Sequence, residues 1–278
     1  MRRDVLELRR FYASPLGRAA REMTARKVFE TWGQGQGLDV LGLGYATPFL
    51  GGMTSRARRV IAAMPAQQGV EIWPGDQANL ACLTGEDRLP FRNALFDRIL
   101  AVHALEESSD ALGLLREAWR VLSPSGRIVV VVAARNGLWA NAETTPFGHG
   151  RPYSRGQLAD LLREAELEPS GWTRALYVPP VAWMAGWAEG FEQAGSRLWS
   201  GFSGLVLMEA VKQTFAVKPR AARQRVRAQV LSPLPAGRMP IPEAQALIGL
   251  GKRLASAKEG HSLASAGQRK PHPAGDEP

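Results

Sequence analysis

Two groups of residues in this chain have the types and spacing for chemistry. The first is Thr144-Thr145-Pro146-Phe147-Gly148-His149-Gly150-Arg151-Pro152-Tyr153. Glycines flank His149, and Arg151 and Tyr153 follow at alternate positions, so three polar side chains can converge on one ligand. A guanidinium suits a carboxylate or phosphate, and an imidazole can hold a proton near neutral pH. The same stretch also reads as an ordered loop with a Pro-Tyr turn ahead of a helix. The second group is His103 with Glu106 and Glu107, after an apolar run. A histidine there can act as a general base or simply wall a pocket. Phosphate-loop, zinc-protease and nucleophile-elbow motifs are absent. Gly42 and Gly44 are spaced like the start of a dinucleotide fingerprint, but Thr47 stands where its third glycine belongs. The single cysteine, Cys82, excludes an internal disulfide and a multi-cysteine metal site, and reads as an apolar strand residue. No metal is expected.

These residues need a frame, and hydrophobic periodicity predicts one. Phe96 to Val102 reads as a strand and Ile128 to Val132 as an unbroken β-branched run, suited to a sheet covered on both faces. Between them Leu112, Leu115, Trp119 and Leu122 recur at helical spacing until Ser123-Pro124-Ser125-Gly126 breaks the pattern. This is a β-α-β unit. Leu38 to Leu41, Arg59 to Met64 and Leu80 to Leu83 are candidate strands upstream, and Val206 to Phe215 is the last. Ser154 is a plausible cap for a helix over Gln157 to Ala165. Trp183, Trp187 and Phe191 fall on one helical face and are expected to pack as core or lid, with an apolar pocket wall as the functional reading.

Leu89-Pro90-Phe91, then Phe96-Asp97, then Leu115 through Arg127 (LREAWRVLSPSGR) resembles the second half of the class I S-adenosylmethionine-dependent methyltransferases, closest to the type 11 small-molecule subgroup. Ser123 and Ser125 stand where Lys and Gly are commoner. The resemblance implies an α/β, Rossmann-like, doubly wound and mostly parallel seven-stranded sheet. It implies S-adenosyl-L-methionine as cofactor and methyl transfer to a small or apolar molecule. It places Gly44 on the first glycine of the cofactor turn, Ala46 on the second and Pro48 on the third, with Gly42 in place of the usual acid. Met64 falls where a carboxylate usually takes the ribose hydroxyls, and Glu86 and Asp87 fall where the adenine amino group is contacted. His103 falls on the wall of the methyl-transfer pocket, and His149, Arg151 and Tyr153 fall in the substrate-facing insertion. The altered turn and the missing ribose carboxylate also fit a methyltransferase-like protein that binds or regulates without catalysis.

The chain has 278 residues and a net charge of +9. From Ala216 onward eleven Lys and Arg face four acidic residues, so this segment carries +7. It is rich in Pro, Gly, Ala and Ser, and is expected to be a largely disordered tail with weak attraction for anions and no specific nucleic-acid partner; a short helix over 242–254 is a local option. The expected organisation is a helical flank over 1–34, a methyltransferase-like domain over 35–215 and the basic tail over 216–278. Charges at the N-terminus (Arg2, Arg3, Asp4, Glu7) and the absence of eighteen consecutive apolar residues point to the cytoplasm, without a transmembrane segment.

Overall fold

In the computed structural model, residues 3–33, 35–198 and 203–213 are described. Seven strands form one sheet: β1 (Asp39–Gly44), β2 (Arg59–Pro65), β3 (Ala81–Thr84), β4 (Phe96–Val102), β5 (Leu122–Ala133), β6 (Leu167–Ala175) and β7 (Leu205–Lys212). Their order is β3-β2-β1-β4-β5-β7-β6. The first five are parallel, and β7 runs antiparallel between β5 and β6. Strand β6 was not anticipated, because Leu167-Glu168-Pro169-Ser170-Gly171 mixes strand-breaking residues into its first half.

Side chains alternate across the sheet and feed two cores. Val40, Met64, Leu100, Val129 and Val131 pack on one face against helices α1 (Val5–Ala13) and α2 (Pro15–Trp32). Leu41, Leu43, Ile99, Val130 and Val132 pack on the other against α4 (Ala111–Val121) and α5 (Arg155–Glu164). Helix α4 buries Leu114, Leu115, Ala118 and Val121, and Asp110 caps it by accepting from the Gly113 amide. Ser154 caps α5 in a reciprocal capping box with Gln157.

The links between β1, β2 and β3 are reduced. Only α3 (Thr47–Leu50) and one 3₁₀ turn join β1 to β2, and residues 66–80, which include Gly69, Pro74 and Gly75, join β2 to β3 without a helix. Helices α1 and α2 cover that face instead. The Val5 amide donates to the Gln68 carbonyl at 2.8 Å, tying the start of α1 to the loop after β2.

The aromatic stripe is a correction. Trp183 and Trp187 lie in a 3₁₀ segment (Ala182–Trp187), where three residues per turn replace the helical spacing, and they are 75% and 68% exposed. Only Phe191, in α6 (Ala188–Leu198), packs against the core. Thr214, Phe215 and the basic segment from Ala216, including 242–254, lie outside the described residues.

Candidate active site

The site residues gather at the carboxyl ends of the parallel strands, where an open α/β sheet leaves a crevice. At the end of β1, Gly44 has φ +78°, and a Cβ there would lie 2.3 Å from the Val102 carbonyl oxygen. Only glycine fits. The next amide, of Tyr45, donates to that same carbonyl at 2.8 Å. Gly42 is glycine for a different reason: a Cβ would come within 2.5 Å of Leu50 Cδ1 and 2.9 Å of the Ala46 Cβ. The space an acidic side chain would need is filled by apolar packing.

The expected role of Met64 is also corrected. Its side chain is fully buried in the core on the α1 and α2 face and lines neither cavity described below. Strand alternation carries it into that core rather than into the crevice. A carboxylate reaches this turn from elsewhere. Glu71, in the loop after β2, accepts from Thr47 Oγ1 at 3.1 Å, which brings its carboxylate near the Tyr45 phenol. Burial and then the Glu71 carboxylate push the Tyr45 phenol well above its usual pKa. No sequence signal marks Glu71, because the loop that returns it has no periodicity.

The turn is covered by α1. The Tyr12 ring stacks on Tyr45 with centroids 5.8 Å apart, and its hydroxyl lies 2.8 Å from His103 Nε2. Phe49 meets Tyr12 edge-on, and Phe11 meets Trp139 and Phe147 edge-on. His103 is buried against Phe147 (centroids 4.6 Å apart), with φ +50°, a left-handed backbone that is uncommon outside glycine. Tyr12 was not anticipated as a site residue. Its signal was the apolar stripe Val5, Leu8 and Tyr12 along the buried face of α1.

Two cavities open beside each other near these strand ends, and Gln67 and Ser109 line both. One, of about 320 Å³, is lined by Ala66, Thr84, Glu86 and Asp87 at the ends of β2 and β3. Thr84 Oγ1 is buried there without a partner, and Glu86 accepts from Ser108 at 2.7 Å. The other, of about 770 Å³ and open, is lined by Arg3, Glu106, Glu107, Ser108, His149 and Arg151. The Arg151 amide donates to the Glu106 carbonyl at 2.7 Å, the Arg3 amide to Glu107 at 2.6 Å, and the Arg3 guanidinium contacts the His149 ring. Tyr153 lines neither cavity, although the Arg151 guanidinium lies over its ring, 5.7 Å from the centroid. It is buried in the second core, with its hydroxyl 3.5 Å from the Leu105 carbonyl, because its strand-like pairing with Ala134 turns it inward. Its phenol pKa is raised by burial and then by Glu106.

The Leu89-Pro90-Phe91 segment is held by an ion pair. Arg120 bonds Glu117 and donates to the carbonyls of Leu89 and Phe91, while Glu117 accepts from the Leu89 amide at 2.8 Å. The Arg120 guanidinium holds the Glu117 carboxyl below its usual pKa. The segment thereby anchors the loop carrying Glu86 and Asp87 onto α4. Among the described residues no group of three His, Cys, Asp or Glu is placed to hold a metal ion, and no helix is long and apolar enough to cross a membrane.

This strand order, with its antiparallel β7 and its crevice at the carboxyl ends, is the class I methyltransferase fold. Residues 38–130 match the type 11 model of the methyltransferase domain. The chain is similar in structure to an S-adenosylmethionine-dependent methyltransferase of Thermotoga maritima, described as a possible histamine N-methyltransferase (TM-score 0.55, 20% identity, covering 75% of this chain and 96% of that one). It is also similar to a methyltransferase described as S-adenosylmethionine-dependent from Listeria monocytogenes (TM-score 0.51, 12% identity, covering 70% and 98%). No curated protein matches the sequence.

Proposed function

We propose that this protein transfers a methyl group from S-adenosyl-L-methionine to a small molecule held in the 770 Å³ cavity. The observation that carries this reading is the pair of adjoining cavities, one suited to adenine and one open to an acceptor. When bound, the cofactor supplies a sulfonium-activated methyl group.

The residues fit the cofactor unevenly. Thr84 Oγ1, a buried oxygen without a partner, can bond the adenine edge, with Glu86 and Asp87 accepting from its amino group. Gly44 lets the backbone come close at the β1 turn. The usual carboxylates are absent at Gly42, toward the amino-acid end, and at Met64, toward the ribose, and Tyr12 and Tyr45 are packed over the turn. Each missing charge-assisted hydrogen bond is worth about 1.5–3 kcal/mol, so the affinity is expected to be modest.

The acceptor cavity is polar. Arg3 and Arg151 can hold a carboxylate or phosphate, and Glu107 and His149 can orient a polar group beside it. With Trp183 and Trp187 turned outward, the support for a purely apolar acceptor falls away. The chain's own residues therefore contribute mainly alignment and exclusion of water. The expected place of action is the cytoplasm. Titration calorimetry with S-adenosylhomocysteine tests the reading: saturable one-to-one binding is expected, and no heat up to millimolar ligand would leave a methyltransferase fold used for binding something else.

A further inference from the structure

The contact between α1 and the end of β4 carries a statement about proton positions. Tyr12 is buried, and His103 Nε2 at 2.8 Å is the one hydrogen-bond partner of its hydroxyl among the described residues. Two arrangements are conceivable. If His103 donated from Nε2, the phenolic proton would be left buried without an acceptor, a loss of about 1–3 kcal/mol. If Tyr12 donates, its proton is satisfied and Nε2 serves as the acceptor. A neutral imidazole that accepts at Nε2 carries its proton on Nδ1.

We propose that Tyr12 is a positioning residue of the methyl-transfer site, whose hydroxyl donates to His103 Nε2 and fixes the imidazole as its Nδ1–H tautomer. The assignment to methyl transfer rests on the function proposed above; the tautomer itself does not. With the Nε2 lone pair engaged and Nδ1 already protonated, neutral His103 has no nitrogen free to take a proton from an acceptor. It is a fixed wall and hydrogen-bonding group, not a general base.

The surroundings agree. Burial raises the Tyr12 phenol well above its usual pKa, with Tyr45 and then Glu106 adding to the effect, so the group stays a donor. Tyr45 faces the pair from the β1 turn, and Phe147 covers the imidazole. Glu106, on the loop after β4, accepts from the Ala133 amide at 3.2 Å. A phenol held neutral beside a left-handed His103 accounts for a polar pair placed deep within aromatic packing.

The test is long-range ¹H–¹⁵N NMR of the full chain labelled at histidine, at pH 8. The His103 signals are assigned by their loss in His103→Asn. Protonated Nδ1 and bare Nε2 are expected in the wild type, with Tyr12→Phe shifting the population toward the Nε2–H tautomer. A wild-type His103 carrying its proton on Nε2 would overturn the proposal, as would a Tyr12→Phe spectrum identical to wild type. Should Tyr12→Phe fail to fold, the wild-type spectrum alone decides. Calorimetry with S-adenosylhomocysteine on the same sample separates the two levels: the expected tautomer without ligand binding removes the methyl-transfer role and leaves the Tyr12–His103 geometry standing.

Discussion

The two halves of the strand-end crevice are built in opposite ways. Around β2, β3 and the start of α4 the chain leaves space: Thr84, Glu86 and Asp87 line a cavity of about 320 Å³, and a buried hydroxyl has no partner. Around the end of β1 it fills space. Leu50 and Ala46 crowd Gly42, and Tyr12, Tyr45, Phe49 and Phe147 pack into one aromatic cluster with His103. A half that binds keeps unsatisfied polar groups, which cost stability until a ligand meets them. A half closed by packing gains stability and tolerates little change. The contrast follows the sequence, which departs from the methyltransferase pattern at the β1 turn and resembles it around Glu86 and Asp87.

Substitutions can break this comparison. Met64→Asp is expected to have the largest effect. Restoring an acid there would put an unpaired carboxylate into the core, at a cost of about 3–5 kcal/mol, rather than tighten cofactor binding. Thermal and urea unfolding check it; a variant as stable as wild type with improved S-adenosylhomocysteine affinity would mean that position 64 faces the ligand after all. Gly44→Val comes next. Its Cβ meets backbone at 2.3 Å in a left-handed conformation, so a loss of about 3 kcal/mol is expected along with any binding.

Glu117→Gln probes the clamp that holds the open half in place. The paired carboxylate has a depressed native pKa, so its contribution is present above the unfolded pKa and disappears as pH falls through the native value. The variant should lose about 2 kcal/mol at pH 7 and little in strong acid, measured by urea titration at both pH values. Equal losses at both would show that the clamp acts by shape, not charge. The smallest effect on folding is expected for Thr84→Val, which removes an unpaired oxygen. Stability should hold or rise slightly while S-adenosylhomocysteine affinity falls about fivefold, the worth of one neutral hydrogen bond of about 1 kcal/mol. Unchanged affinity would place the adenine elsewhere. Arg151→Ala sharpens the same contrast from the acceptor side: turnover of an anionic acceptor should fall at least tenfold with cofactor affinity within a few-fold.

Parts of this were legible in the residues. The β4–α4–β5 unit could be read because its buried run and its helical stripe are local patterns with clear punctuation. Glu86 and Asp87 could be placed near a cavity because they directly follow β3, and His149 and Arg151 because they lie on the long connection after β5. Met64 was misplaced because alternation says that neighbours face opposite ways, but not which face is the crevice; Tyr153 lies beneath Arg151 in the second core and not in the cavity itself. Tyr12 showed only as part of the apolar stripe of α1 and Glu71 gave no signal, since both arrive from segments that touch the site only after folding.

By itself, then, the amino-acid order determined the sheet unit, the small residues at Gly42 and Gly44, and the concentration of charge beyond residue 215. Periodicity, side-chain size and composition are local quantities, and the sequence states them directly. Which half of the crevice stays open was decided only in three dimensions. That depends on α1 crossing strand ends that lie far from it in the chain, on Leu50 taking the volume beside Gly42, and on a phenol finding a single imidazole 91 positions away. Such contacts are set by competition for buried volume and for hydrogen-bond partners, and that competition exists only once the elements are packed.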